Sequence, residues 1–158
     1  MLLASFGYHP ALRWPLPYGA PRAAHRLRFA EPEPGPIHRI DGAGLLRPVD
    51  LPTPVAERTL LLRDALFEDD ALIFLAPHSR SLVYGAPGAG ALEIGWDLPD
   101  LGIWTKPGAG YVCIEPWSGY ADPEGFAGEL AEKPGILSLS PGGSHRFAMR
   151  IALREAFD

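Results

Sequence analysis

The sequence predicts an all-β fold built from antiparallel sheets, and three observations carry that expectation. Short apolar segments alternate in side-chain character, Gly/Pro turn signals separate them at close intervals, and no long stretch keeps a helical period. The alternation is clearest over residues 24–29, where Leu27 and Phe29 point one way and Arg26 and Arg28 the other.

Further strands are expected at residues 2–8, 71–75, 81–84, 92–96, 101–105, 111–114, 136–139 and 145–153. Turns punctuate them at Pro17-Tyr18-Gly19, Ala86-Pro87-Gly88, Lys106-Pro107-Gly108 and Pro141-Gly142-Gly143. Residues 57–67, rich in leucine, read as a mixture of strand and helical turn. Two proline-dense stretches, residues 31–36 and 48–54, read as long surface loops, because neither flanking piece is large enough to hold its own core. A chain of 158 residues suffices for one core and is short for two, so residues 1–158 are expected to form one domain. The 18 glycines and 18 prolines stay just under the share that signals disorder.

Charge and composition narrow the function. With 14 Lys+Arg against 19 Asp+Glu and no basic cluster, nucleic acid is not an expected partner. Cys113 is the single cysteine, which excludes an internal disulfide, and no CxxC or paired Cys/His spacing points to structural zinc. No metal and no cofactor are expected. Met1-Leu2-Leu3-Ala4 is too brief for a signal-peptide core, and no apolar run approaches the roughly 20 residues that cross a bilayer. A cytoplasmic protein without a membrane partner is the expectation.

Three segments could hold chemistry. In Tyr111-Val112-Cys113-Ile114-Glu115-Pro116-Trp117, an apolar strand delivers a carboxylate where proline is expected to end the ladder. Partial desolvation there would raise the Glu115 pKa toward the range of a general base; a strand-end glutamate held by backbone N–H groups is the structural alternative. In Phe6-Gly7-Tyr8-His9-Pro10, a second strand delivers His9, a proton donor near neutral pH or else a packed, hydrogen-bonded histidine. His25, His38, His78 and His145 fall on polar faces or loops, where solvent exposure is expected. The acidic run Glu68-Asp69-Asp70 ahead of Ala71-Leu72-Ile73-Phe74 could accept hydroxyl hydrogen bonds, and Trp14, Trp104 and Trp117 offer indoles that could cover a sugar ring. Glu115 and Asp122 share one irregular stretch without the separation a glycosidase pair needs. Ser5, Ser118 and Ser144 lack a nucleophile elbow, and the five histidines show no HxH or HExxH spacing.

Four ordered segments resemble the aldose 1-epimerase (galactose mutarotase) family, in its LacX-like branch: Phe6-Gly7-Tyr8-His9-Pro10, Leu66-Phe67-Glu68-Asp69-Asp70-Ala71-Leu72-Ile73-Phe74, Leu101-Gly102-Ile103-Trp104-Thr105-Lys106-Pro107 and Cys113-Ile114-Glu115-Pro116-Trp117-Ser118-Gly119-Tyr120-Ala121-Asp122-Pro123. Lys133-Pro134-Gly135 and Ser144-His145-Arg146-Phe147 fit the same pattern. The resemblance is to the C-terminal half of that family. It implies a galactose mutarotase-like supersandwich in truncated form, with antiparallel sheets and a small-molecule sugar in a cleft. It further implies an isomerase with His9 as general acid and Glu115 as general base, Asp70 (or its neighbour Asp69) holding sugar hydroxyls, and Trp104 on the sugar-binding strand. The two catalytic groups are expected on opposite sides of the hollow.

Family members are longer, and their N-terminal half brings further strands plus an arginine and a histidine at the sugar that have no counterpart here. An incomplete sandwich exposes sheet edges, from which a homo-oligomer is expected. Arg13 and Lys106 are cations that could meet a phosphorylated sugar. The alternatives to an epimerase are a non-catalytic carbohydrate-binding module and an oligomeric remnant of the family.

Overall fold

The computed structural model describes residues 1–157. Among these, twelve strands form: β1 (Leu2–Ala4), β2 (Phe6–Gly7), β3 (Ala11–Arg13), β4 (Arg26–Phe29), β5 (Thr59–Leu61), β6 (Leu72–Phe74), β7 (Ser81–Gly85), β8 (Ala91–Trp96), β9 (Asp100–Trp104), β10 (Tyr111–Ser118), β11 (Leu137–Leu139) and β12 (Met149–Arg154). One five-stranded sheet has the order β12-β8-β7-β4-β5; a second has the order β2-β10-β9-β6, with β3 also on β10. β1 and β11 form a separate ribbon. All the pairings between these strands are antiparallel.

The two large sheets meet face to face because side chains alternate between the faces of each strand with period two, which gives each sheet an apolar inner face. Leu27, Phe29, Leu82, Tyr84 and Ile94 from the first sheet pack against Leu72, Phe74, Leu101, Ile103 and Ile114 from the second. Fully burying each such side chain contributes about 1.5–3 kcal/mol, so this layer is the main source of stability. The remaining positions of the second sheet, including Ile73, Trp104 and Trp117, form a separate cluster on its outer face.

Residues 30–58 leave the first sheet after β4, reach that outer face and return to β5 of the same sheet. The two proline-dense stretches, residues 31–36 and 48–54, do lie at the surface apart from the buried Glu33, whereas Ile37, Arg39, Leu46 and Val55 beside and between them are buried. Glu33 anchors the start, accepting the backbone N–H groups of Ser79 at 2.6 Å and His78 at 2.9 Å. Single bridges then join His38 to Ile73 and Ile40 to Leu46, which lays the segment along β6 as a wall.

Several expectations change. Residues 2–8 divide between the ribbon and the second sheet, and the last strand starts at Met149 rather than at residue 145. Residues 57–67 are in fact both strand and helix, since β5 is followed by a 3-10 turn at Asp64–Phe67. Pro116 does not end β10, which continues to Ser118. Its missing N–H would point where the Pro116 carbonyl points, toward Tyr8, which lies just past the end of β2 and donates its own N–H to that carbonyl at 3.0 Å.

His25 is not solvated but 1% exposed. Its Nε2 accepts the Leu16 N–H at 3.0 Å while Nδ1 lies 3.0 Å from the Pro21 carbonyl, which makes Nδ1 the protonated nitrogen. Burial lowers its pKa, so the ring is held neutral. His25→Ala would strand the Leu16 N–H in the interior, and a loss of about 1–3 kcal/mol in urea unfolding is expected. A change within about 0.5 kcal/mol would show that this bond is immaterial.

Candidate functional site

The site is built on strand register. β2 pairs Gly7 with Trp117, and β3 pairs Ala11 with Cys113. These two pairs share one register, so the chain between them runs past β10 as an interrupted strand, with Tyr8 opposite Pro116 and His9 opposite Glu115. Directly opposed residues of an antiparallel pair project to the same face. His9 Nε2 accordingly lies 2.9 Å from Glu115 Oε1. His9 and Glu115 are therefore adjacent and do not face each other across the hollow, because cross-strand neighbours cannot be further apart than their side chains reach.

Their surroundings differ sharply. The Glu115 side chain is 7% exposed and that of His9 62%. Burial pushes the Glu115 carboxyl up to about 7; a hydrogen bond from the Trp117 indole opposes the rise and the nearby Asp70 carboxylate adds to it. Cys113, on the same face two residues earlier, is also buried, and its thiol is pushed up to about 11 by burial and by Glu115. It is a protonated, unreactive thiol at neutral pH.

Beside the pair opens a cavity of about 330 Å³ lined by His9, Asp70, Trp104, Glu115 and Trp117, with Ile40 and Gly44 on the crossing wall. That volume falls at the lower end of small-molecule sites. All four residues singled out in the sequence, His9, Glu115, Asp70 and Trp104, therefore meet at one opening. Asp69 does not line it, nor do Arg13 and Lys106. Trp14 belongs to the core between the sheets, 1% exposed, and contributes nothing to the site.

Trp117 forms the floor. A Cβ on Gly7 would stand 2.7 Å from the Trp117 ring, and one on Gly102 would overlap its far edge. The indole thus lies flat on the sheet over two glycines of neighbouring strands. Asp70 is presented by a left-handed residue, φ 66°, whose Oδ1 accepts the Ala71 N–H at 2.6 Å. Arg39 holds that turn from beneath: its buried guanidinium donates to the carbonyls of Leu66 at 2.7 Å, Asp69 at 3.3 Å and Asp70 at 2.5 Å. No sequence motif announced Arg39; the one available signal was a charged residue close between two isoleucines in Ile37-His38-Arg39-Ile40.

The loop after β10 is fixed by the Lys133-Pro134-Gly135 segment. Lys133 Nζ lies 2.5 Å from Asp122 Oδ1, and Gly135 approaches Gly119 so closely that a Cβ there would stand 2.9 Å from the Gly119 Cα.

A raised carboxyl pKa means that the folded state holds this proton more tightly than the unfolded chain. The associated stability is full below about pH 4.5 and is lost as the pH rises through about 7. Glu115→Gln removes that loss, so the variant is expected to exceed the wild type by about 2–3 kcal/mol in urea unfolding at pH 8 and to approach it at pH 4.5. An equal difference at both pH values would refute the desolvated carboxylate.

Comparison with known proteins agrees with this architecture. No protein-family model matches the chain. The chromosomal and plasmid forms of Protein LacX from Lactococcus lactis subsp. lactis are each 31% identical over 141 residues, covering 85% of this chain and 47% of theirs. Two crystal structures share the fold. A galactose mutarotase-like protein from Lactobacillus casei ATCC 334 aligns with a TM-score of 0.79 at 20% identity, over 97% of this chain and 54% of that one. A galactose mutarotase related enzyme from Lactobacillus acidophilus aligns with a TM-score of 0.74 at 25% identity, over 99% and 54%. The chain spans about half the length of these proteins. By sequence it is a relative of the LacX proteins, and by fold it is galactose mutarotase-like over that half.

Proposed function

We propose that the chain is an aldose 1-epimerase-like isomerase that interconverts the α and β anomers of a hexose. The observation that carries the reading is the 2.9 Å approach of His9 Nε2 to Glu115 Oε1 at the mouth of a sugar-sized cavity. Glu115 takes the proton from the anomeric hydroxyl while His9 gives one to the ring oxygen. The ring C–O bond breaks as the carbonyl forms at C1, rotation about C1–C2 presents the other face, and reversal closes the ring. The anomeric and ring oxygens share one carbon, so an acid and a base that stand side by side suit them better than a pair set far apart. Asp70 accepts hydrogen bonds from sugar hydroxyls, and Trp104 covers an apolar face of the ring.

Such proton transfer contributes about 10² to 10⁴-fold for each positioned group, so His9→Asn and Glu115→Gln are each expected to lower the rate by that factor. The wild-type rate is expected to rise as the pH passes about 7 and Glu115 ionises. Polarimetric decay of fresh α-glucose and α-galactose measures both; a wild-type decay no faster than buffer ends the reading. Carbohydrate binding without turnover is the second reading, supported by Asp70, Trp104 and Trp117 together at the cavity. Calorimetric binding of a sugar with no rate enhancement would establish it.

The chain also fits a homo-oligomer. Ile151 and Leu153 of the edge strand β12 are 44% and 77% exposed, although they pair with Ile94 and Leu92 of β8 and share their core-facing side. A second copy laid along β12 would cover them and occupy the open edge. Light scattering at micromolar concentration is expected to give a multiple of the 17.1 kDa chain mass, and a monomer would contradict it.

A further inference from the structure

Cys113 takes no part in the proton transfers above, yet its sulfur faces the two side chains that do. It stands two residues before Glu115 on β10, so both project to the cavity face, and His9 enters from the segment between β2 and β3 that runs alongside. One donor atom from each of His9, Cys113 and Glu115 lies within 4.8 Å of the other two. We propose that these three residues bind a zinc-class divalent cation through imidazole, thiolate and carboxylate, with the fourth position open to the cavity.

The mixture of donors selects the ion. Magnesium and calcium take oxygen donors, whereas zinc accepts nitrogen, sulfur and oxygen together in a tetrahedron. Around such a zinc the donor atoms stand about 3.3–3.6 Å apart. The His9–Glu115 distance of 2.9 Å lies just inside that spacing, no two of the three donor atoms are more than 4.8 Å apart, and the exposed His9 ring is free to turn toward the other two. As the Zn–S bond forms, the thiol proton passes to water, and the thiolate and carboxylate together balance the charge of the ion. The familiar zinc spacings arise when ligands share one turn or one helix; here one ligand comes from a strand far earlier in the chain, so no motif marks the site. A bound cation occupies the nitrogen and the carboxylate that ring opening needs. Zinc and proton transfer therefore exclude each other at this site.

The test is a titration of the intact chain with Co²⁺, followed by absorption, and with Zn²⁺, followed by calorimetry. One equivalent is expected, with a thiolate-to-cobalt charge-transfer band that zinc displaces. His9→Ala changes an exposed side chain and should weaken zinc by at least about 100-fold, since even the loss of a supporting contact costs 10–100-fold. Cys113→Ala should abolish the band. Absence of the band from the wild type overturns the proposal, and so does zinc binding that survives unchanged in both variants, which would place the ion at other side chains. The titration reads no sugar turnover, so its failure and the failure of the epimerase reading are separate results.

Discussion

The site depends on a single register. Had β10 paired one residue further along its neighbour, His9 would face a different partner, and Glu115 would be buried on the cavity face without it. The register is held on both sides of the interruption, by Trp117–Gly7 at one end and by three consecutive pairs from Cys113–Ala11 to Tyr111–Arg13 at the other. Between them the two prolines, Pro10 and Pro116, remove ladder donors from both strands, so the backbone opens locally while the side chains stay matched. The single surviving bond there, from the Tyr8 N–H to the Pro116 carbonyl at 3.0 Å, keeps the opening narrow.

A buried carboxylate is a cost to the fold, and the surrounding structure shows how it is carried. The opposite face of the same sheet holds Val112 and Ile114 of β10 at full burial within the main core, so the strand is fixed by packing whatever the state of Glu115. Asp70, which raises the Glu115 pKa, is itself kept in place by Arg39 and the backbone it grips. Two acids are thus held near one another by apolar packing on one side and a buried cation on the other, an arrangement that favours retention of one proton at the site.

Much of this was legible in the sequence, for identifiable reasons. Alternation revealed β4 directly, and most of the expected strands match within a few residues, because a half-buried strand writes its period into its side chains. His9 and Glu115 could be singled out because each interrupts an apolar run next to a proline. Their adjacency could not, since the pairing of strands a hundred or so residues apart leaves no local trace. The wall between the two proline-dense stretches was hidden for a different reason: it packs through isolated side chains such as Ile37 and Leu46 instead of through a period. His25 was misplaced because its burial is set by two backbone groups, Leu16 N–H and Pro21 C=O, that no pattern of neighbouring residue types discloses.

The flat seating of Trp117 over Gly7 and Gly102 ties three positions into one unit of variation. A larger residue at either glycine is admissible only after the indole has gone, whereas a smaller residue in place of the indole leaves both glycines free to grow. Any route that reshapes the floor to accept a bulkier ligand, whether by drift or by design, consequently has a preferred order of steps, with the tryptophan exchanged first. The reverse order passes through chains whose sheet cannot close.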